Sequence, residues 1–321
     1  MRTVRIVLPV FNDWDSLILL LRDLDQVAAA LPVEFIVTAV NDGSFASPDE
    51  GLRRLGNFEH LLQIEIVHLY SNLGHQRAIA IGICDAVERG DCDAILVMDA
   101  DGEDSALAIP ELLNKADEAQ DFCVVVQRGR RSENLLFRIF YVLYKRLFHL
   151  LTGHQIAFGN FCLISHSYAR RLATVADLWR NLPAAILRSR LPLKTVVVDR
   201  GKRYEGRSKM NLTSLIIHGL SGVSVYAEAT FVRLLMIMLS LFGLSGVVIV
   251  SVLLLRIFFP QYATPGWATT VSFGLAIILI QTLSVTLSFT LMLLNSRVQR
   301  LILPLADYKF YVDRRQEIFH R

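Results

Sequence analysis

The sequence predicts an α/β domain with a mostly parallel sheet, followed by two helices that cross a membrane as a hairpin. Two observations lead to this fold class. Strand-like and helical segments alternate over residues 4–127, as they do where helices connect parallel strands. Two uncharged apolar segments follow at residues 234–255 and 268–294, and each is long enough for one bilayer crossing, which takes about 20 apolar residues.

The predicted strands of the first domain are followed by polar residues. β-rich runs lie at residues 4–10, 34–40, 63–69, 94–98 and 121–127, and helical periodicity occupies residues 15–30 and 76–89. Ligands of parallel sheets bind at the carboxyl ends of the strands. We therefore expect a binding site where these polar residues gather, namely at Asn12, Asp13, Asn41, Asp42, Asn72, Asp99 and Asp101.

The charges are distributed unevenly, although the formal net charge of the 321 residues is only +3. Residues 1–120 contain 8 Lys and Arg against 21 Asp and Glu, and residues 121–321 contain 25 against 9. The acidic part suits a bound metal ion, and the basic part suits phosphates or anionic lipid head groups. Solvated surfaces are the alternative for both parts. We expect no nucleic-acid partner.

Basic residues flank the apolar pair on both outer sides, at Arg203, Arg207, Lys209, Arg233, Arg297, Arg300, Lys309, Arg314 and Arg315. The positive-inside rule places both flanks in the cytoplasm. We therefore expect a multi-pass protein of the inner membrane with both termini cytosolic. Its parts would be a cytosolic domain at residues 1–229, a hairpin at 230–295 and a basic cytosolic tail at 296–321. Two buried helices of a soluble domain are the alternative.

Two further segments have the pattern of helices that lie in a membrane interface. Residues 134–151 are strongly apolar, yet they place Arg138, Lys145 and His149 on one helical face. A core helix with snorkelling cations is the alternative for this segment. Residues 211–226 form a second apolar amphipathic run before the first membrane helix.

The four cysteines suggest neither a zinc site nor a disulfide framework, because no two of them form a C-x-x-C pair. Reduced thiols in a cytosolic domain are the simplest interpretation. The chain begins with a strand-like segment and not with an apolar signal region, so we do not expect this domain to be secreted.

The strongest local signal is the acidic turn after the strand at residues 94–98, which carries Asp99 and Asp101. Two carboxylates one residue apart supply the oxygen ligands that Mg²⁺ or Mn²⁺ prefers, and they leave room for substrate phosphate oxygens. Such an ion neutralises a diphosphate leaving group. Acidic turns are common, so this pair alone is a weak indication.

Four short sequence blocks strengthen the indication that the acidic turn binds a metal ion. They are LPVFND at residues 8–13, VNDGS at 40–44, HLYSNLGHQRAIAIG at 68–82 and VMDADG at 97–102. In this order they resemble glycosyltransferase family 2, whose GT-A fold is a Rossmann-like, mostly parallel sheet. The resemblance covers about residues 4–206, and it implies an enzyme that takes a sugar from a nucleotide-sugar donor.

The resemblance implies donor-binding and metal-binding roles for residues of these blocks. The donor would contact Pro9, Phe11, Asp13, Asp42, Asn72, Arg77 and Asp99. The ligands of Mg²⁺ or Mn²⁺ would be Asp101 directly, with Asp99 and Glu103 beside it. Asp13 stands where the family usually has Glu. Purely structural roles are the alternative for Pro9 as a turn former, Asn72 as a cap and Arg77 as a surface cation.

Two basic stretches narrow the resemblance, RGRR at residues 128–131 and RYEGRSK at 203–209. Together with the C-terminal apolar pair they resemble the subgroup that moves sugars onto polyprenyl phosphates, of the dolichyl-phosphate mannose synthase type. The resemblance implies that acceptor or donor phosphates contact Arg130, Arg131, Arg203, Ser208 and Lys209. Arginine forks and lysine charges suit a phosphate at the bilayer surface. Charge that only orients the membrane helices is the alternative.

The chain departs from the family at Asn160, where many members carry an acidic residue that serves as catalytic base. An amide cannot accept a proton in this way. A sugar hydroxyl acceptor needs such a base, whereas a phosphate monoester is already largely ionised, with a second pKa of about 6. Asn160 at this position therefore favours a phosphate acceptor. It is the third catalytic candidate, beside Asp99 and Asp101. His154 is an alternative base.

These features predict an inverting, metal-dependent transfer of a sugar to a membrane acceptor, a polyprenyl phosphate such as undecaprenyl phosphate, with a uridine donor preferred to a guanosine donor. One alternative is a glycosyltransferase acting on a glycan or glycolipid hydroxyl. Another is a non-catalytic, nucleotide-sugar-binding membrane partner. A transporter is disfavoured, because two uncharged helices supply no polar path. The oligomeric state, including a homo-oligomer, stays open.

Overall fold

The computed structural model describes residues 2–46, 58–117, 121–128, 146–153, 158–199, 201–204, 220–259, 266–298 and 302–321. Residues 134–145 and 211–219 of the two predicted interfacial segments therefore lie outside the described residues. The chain divides into two compact units. The first contains one sheet with its covering helices, and the second contains two long apolar helices and the helical segment that is described at residues 146–152.

Eight strands of the described chain form the sheet of the first unit. They are β1 (Arg2–Val10), β2 (Val33–Asn41), β3 (Gln63–Leu69), β4 (Ala94–Val97), β5 (Cys123–Arg128), β6 (Cys162–Ser165), β7 (Leu193–Val198) and β8 (Val312–His320). Their order is β7-β5-β6-β4-β1-β2-β3-β8. β6 and β8 run antiparallel to their neighbours, and the other pairings are parallel. The mostly parallel sheet is confirmed.

Helices cover both faces of this sheet. In the first unit the helices are α1 (Trp14–Ala28), α2 (His75–Arg89), α3 (Ile109–Ala116), α4 (His166–Ala173), α5 (Leu182–Arg188) and α8 (Pro304–Asp307), and the second unit contains the long helices α6 (Ala227–Phe258) and α7 (Trp267–Val298). Because strand side chains alternate between faces, Leu8 packs with α1 and α3, whereas Val7 packs with α2. An added Cβ at Gly82 would overlap the Val7 side chain, so α2 lies directly on the central strand.

A network of charged side chains is buried between α2 and the sheet. Arg5 on β1 is fully buried and bonds to Thr38 on β2, Glu65 on β3 and Asp91. Arg89, the last residue of α2, also pairs with Glu65 at 2.9 Å. Burial alone lowers the pKa of Arg5, but the Glu65 and Asp91 carboxylates raise it above its usual value. The buried guanidinium therefore stays charged.

The last segment of the chain belongs to the sheet. We predicted a basic cytosolic tail at residues 296–321, and residues 312–320 of this segment form β8, which pairs along β3 as an edge strand. Arg315 of β8 bonds to the buried Asp85 of α2 at 2.6 Å, across 230 residues of sequence. Lys309, just before β8, contacts Glu88 of the same helix. The acidic side chains of α2 thus neutralise basic residues that local patterns assign to a tail.

The second unit contains the two predicted membrane helices. By length and composition α6 and α7 are able to cross a membrane, with mean hydropathy of 2.6 and 2.0. Arg233 near the start of α6 donates to the carbonyl groups of His149 (3.1 Å) and Leu150 (2.8 Å). It therefore caps the end of the helix at residues 146–152, which is the described part of the predicted interfacial segment.

Replacing Arg5 by methionine removes the buried cation that compensates Glu65. We expect Arg5→Met to lower the free energy of unfolding by about 3 kcal/mol, the usual cost of breaking a buried ion pair. Arg2→Met is the control, because the Arg2–Asp117 pair lies at the surface and is worth about 1 kcal/mol at most. Urea denaturation of the full chain in detergent measures both. Equal losses would contradict the role of the network.

The contacts of Glu88 make stability depend on pH. The hydrogen bond from Lys309 and then that from Tyr308 lower the pKa of Glu88 below its usual 4.5. A carboxyl group whose pKa is lower in the folded protein than in the unfolded chain stabilises the fold at pH values above its unfolded-state pKa. This stabilisation is lost as the pH falls through its folded-state pKa. We expect Glu88→Gln to melt at a lower temperature than the wild type at neutral pH. The difference should shrink below pH 4.5, and a constant difference down to about pH 3 would contradict it.

Candidate active site

Side-chain hydrogen bonds join the loops that follow β1 and β2. After β1 the backbone at Asn12 is left-handed, with φ of 56°, a conformation that asparagine tolerates. Its Oδ1 accepts the N–H of Phe45 (2.9 Å), and its N–H donates to Ser44 Oγ (2.9 Å). The ring of Phe11 meets that of Phe45 edge-on, with 6.0 Å between centroids. The two loops therefore form one structure.

Asp42 fixes the loop that follows β3. It is buried, and its carboxylate accepts the N–H groups of Leu73 (2.7 Å) and Gly74 (2.9 Å). Burial raises the pKa of Asp42, against the effect of these two hydrogen bonds. Next to it, Gly43 has φ of 68°, and an added Cβ there would come within 2.6 Å of the Asn72 nitrogen. The loop before α2 is thus held against the end of β2.

The acidic turn follows β4 and is held by its own carboxylates. The buried Asp104 accepts the N–H of Asp99 (2.9 Å), and Asp101 Oδ1 accepts the N–H of Glu103 (3.0 Å). Burial raises the pKa of Asp101, and the nearby carboxylates of Asp99 and Glu103 raise it further. Like charges held close together in this way favour a bound cation.

Residues 201–204 pack onto this turn. The Tyr204 N–H donates to the Asp101 carbonyl (3.0 Å). At Gly102, where φ is 86°, an added Cβ would come within 2.6 Å of the Tyr204 ring. Arg203 Nη1 lies 3.5 Å from Asp101 Oδ2. The resemblance implied that Arg203 contacts an acceptor or donor phosphate, and the structure places its guanidinium beside the carboxylate predicted to bind the metal.

The first turn of α2 also reaches the acidic turn. His75 Nε2 lies 3.2 Å from Asp99 Oδ1. Burial lowers the pKa of His75, but Asp99 and the other carboxylates of the turn raise it, and the net direction is upward. Gln76 Nε2 donates to Asn160 Oδ1 (3.0 Å), and Asn160 Nδ2 lies 3.1 Å from His75 Nε2. The predicted acceptor-side residue therefore stands next to the acidic turn.

The remaining predicted residues are held in different ways. Pro9 is buried in β1, Asp13 immediately precedes α1, and Arg77 is exposed in the first turn of α2. Four predicted phosphate-binding residues lie outside the described residues, namely Arg130, Arg131, Ser208 and Lys209.

Three side chains of the site were not identified from the sequence. His75 offered a signal, because it lies inside the third block directly after Gly74. Asp104 is only one more acid in an acidic stretch. Tyr204 bonds through its hydroxyl to Asp23 of α1, a contact between residues far apart in sequence that only the fold creates.

The acidic turn fits a divalent cation that takes most of its ligands from substrate and water. Within the described ranges, no group of three or more His, Cys, Asp and Glu is arranged to hold a metal ion. A complete site made of Asp99, Asp101 and Glu103 is therefore not formed by the protein alone. Mg²⁺ is commonly held through one or two carboxylates together with substrate phosphates. The half-buried Asp101 beside Asp99 matches that donor set.

Comparison with known families decides the class of enzyme. The family model described as "Glycosyl transferase family 2" matches residues 5–178, which is more than half of the chain and contains all four blocks. The protein belongs to glycosyl transferase family 2. It is a glycosyltransferase with a GT-A fold, as the blocks predicted.

Relatives of this family 2 enzyme match most of its length. It is 28% identical over 271 residues to the undecaprenyl-phosphate 4-deoxy-4-formamido-L-arabinose transferase of Klebsiella pneumoniae, a match that covers 83% of this chain and 80% of the relative. It is 25% identical over 267 residues to an uncharacterised glycosyltransferase of Synechocystis sp., covering 82% and 81%.

Solved structures share the fold of the family 2 domain at lower identity. Mannosyl-3-phosphoglycerate synthase from Rubrobacter xylanophilus has a TM-score of 0.51 and 16% identity, covering 71% of this chain and 73% of that one. Glucosyl-3-phosphoglycerate synthase from Mycobacterium tuberculosis, in complex with Mn²⁺, UDP-glucose and phosphoglyceric acid, has a TM-score of 0.50 and 13% identity, covering 71% and 80%. At these identities the likeness supports the fold alone.

Alanine at Gly43 and at Gly90 separates backbone strain from steric overlap. Both glycines have positive φ, 68° and 65°, but an added Cβ meets backbone atoms only at Gly43. We expect Gly90→Ala to cost about 1 kcal/mol of stability and to leave the affinity for the donor nucleotide unchanged. Gly43→Ala should also displace the Asn72 loop and weaken nucleotide binding about tenfold, equivalent to 1.4 kcal/mol. Calorimetric titration with UDP and with GDP checks this, and equal nucleotide affinities of the two variants would contradict it.

Proposed function

We propose that this glycosyltransferase moves a sugar from a nucleotide-sugar donor onto a polyprenyl phosphate at the cytoplasmic side of the inner membrane. The observation that carries the proposal is the amide of Asn160 beside the acidic turn, held by Gln76 and next to His75. A hydroxyl acceptor needs a base at such a position, whereas an ionised phosphate does not. The apolar helices α6 and α7 would keep the enzyme where a polyprenyl acceptor lies.

The donor would bind at the strand ends, among the loops after β1, β2 and β3. Both carboxylate oxygens of Asp42 accept backbone N–H groups, so its contribution is to shape the loop around the nucleotide. Phe11, packed on Phe45, offers an apolar surface to the base. A uridine nucleotide is the first donor to test.

Positive charge for the leaving diphosphate comes from several groups. Asp99 and Asp101 would hold Mg²⁺ or Mn²⁺, which when bound neutralises a leaving diphosphate. Arg203, 3.5 Å from Asp101, brings a guanidinium that can donate paired hydrogen bonds to phosphate oxygens. His75, 3.2 Å from Asp99, would add a second positive charge when both of its ring nitrogens carry protons. The acceptor phosphate oxygen then attacks the anomeric carbon, the nucleoside diphosphate leaves, and the configuration inverts.

Transfer to lipid tests the proposal directly. Full-length protein in detergent is incubated with labelled nucleotide sugars, Mn²⁺ and either undecaprenyl phosphate or undecaprenol. We expect labelled lipid with the phosphate only. Asp101→Asn should lower kcat about 100-fold, because it removes charge that acts on the transition state. Asp313→Asn is the control, since this carboxylate is exposed on β8, and it should leave kcat unchanged.

Two outcomes would contradict the proposal in different ways. Transfer to undecaprenol or to a glycan hydroxyl, without transfer to the phosphate, would support the alternative acceptor. Binding of nucleotide sugar without transfer to any acceptor would support the non-catalytic partner.

A further inference from the structure

A line of hydrogen bonds connects the last strand of the sheet to the loop after β2. His68 is buried near the end of β3, between β2 and β8. Its Nε2 lies 3.1 Å from Gln316 Oε1 on β8, and its Nδ1 lies 3.1 Å from Asn41 Nδ2 on β2. Asn41 Oδ1 accepts the N–H of Ser44 at 2.9 Å. The line therefore runs from the C-terminal strand into a loop of the candidate active site.

The donors and acceptors along this line are consistent with a single arrangement. Asn41 Oδ1 receives the Ser44 N–H, so the amide nitrogen of Asn41 is the group that faces His68. An amide nitrogen only donates, so His68 Nδ1 accepts and the ring proton sits on Nε2. Nε2–H then donates to Gln316 Oε1. Gln316 thus stabilises the histidine tautomer that Asn41 requires.

The loop at the end of the line carries the contacts on which the site depends. Ser44 Oγ receives the N–H of Asn12, which fixes the loop after β1. Asp42, next to Asn41, holds the loop after β3 through two backbone N–H groups. A fully satisfied buried network makes its surroundings rigid. Loosening Asn41 would therefore loosen all three loops.

We propose that Gln316 and His68 are positioning residues for the donor site. They hold Asn41, and through it residues 42–44, in the shape that binds the nucleotide. The proposal rests on the proposed role of this loop in donor binding. Gln316 lies on β8, so this edge strand also orders the loop after β2, which is two strands away in the sheet.

Gln316→Met tests the proposal, because it keeps the length of the side chain and removes the acceptor. The matched control is Glu317→Met, which removes the 2.8 Å bond between Gln63 Nε2 and Glu317 Oε2 on the same β3–β8 edge. Hydrogen exchange at residues 44–46 is measured in the full chain in detergent without nucleotide. UDP affinity, donor KM and kcat are measured in parallel.

In Gln316→Met we expect the backbone amides of residues 44–46 to exchange hydrogen about fivefold faster than in the wild type. The UDP dissociation constant and the donor KM should rise by a similar factor. The kcat at saturating donor should stay unchanged, as should every value for Glu317→Met. Gln316→Glu keeps an acceptor oxygen opposite Nε2 and should restore both exchange and affinity.

Different failures identify different errors. If the wild type binds UDP but Gln316→Met behaves like Glu317→Met in exchange and affinity, the positioning role is overturned and the proposed function stands. If Gln316→Met alone exchanges faster but the wild type binds no nucleotide, the donor assignment and the proposed function are overturned instead.

Discussion

The position of α2 depends on charges buried beneath it. Arg5 is fully buried in β1 and is compensated by Glu65 of β3. Arg89 at the end of α2 pairs with Glu65 and with Asp85, and Asp85 also pairs with Arg315 of β8. A buried charge without its partner costs several kcal/mol, so these groups must all be placed together. One set of charges thereby fixes a helix, the central strands and the C-terminal strand.

The active site takes its geometry from this arrangement. α2 ends over the charge network at Arg89 and begins at the acidic turn, with His75 beside Asp99. Midway along the helix, Gly82 allows contact with β1 closer than any side chain would permit. Because α2 is held at its end by ion pairs and at its middle by close packing, the position of its first turn is fixed. His75 and Gln76 therefore meet Asn160 in a defined relation.

Local patterns predicted the centre of the sheet, because strand and helix periodicities are properties of short segments. β1 to β4, α1 and α2 lie within a few residues of the expected positions. β6, at Cys162–Ser165, is four residues long like β4, but it was not among the predicted strands. β8 carries Arg314, Arg315 and Glu317 because it lies at an exposed edge, so its composition is that of a tail. Asp85, the buried partner of Arg315, is 230 residues away in sequence.

The motifs predicted site residues at the strand ends, but they could not predict the hydrogen bonds that hold those residues. Asp42 and Asp101 were expected to face ligands, and each also accepts backbone N–H groups. These bonds depend on the path of loops that no periodicity describes. The same holds for His68, which lies inside the third block and acquires a partner on β8 only when the sheet is complete.

Arg203 couples the acidic turn to residues 201–204. The Gly201 N–H donates to the Glu103 carbonyl (2.9 Å), which holds this segment, just before the rest of the basic stretch, against the acidic turn. Asp101 and Arg203 then face each other at 3.5 Å. A cation bound at Asp101 weakens the attraction between Asp101 and Arg203. An anion bound at Arg203 weakens the same attraction. The two charges therefore respond to bound ions as one coupled pair.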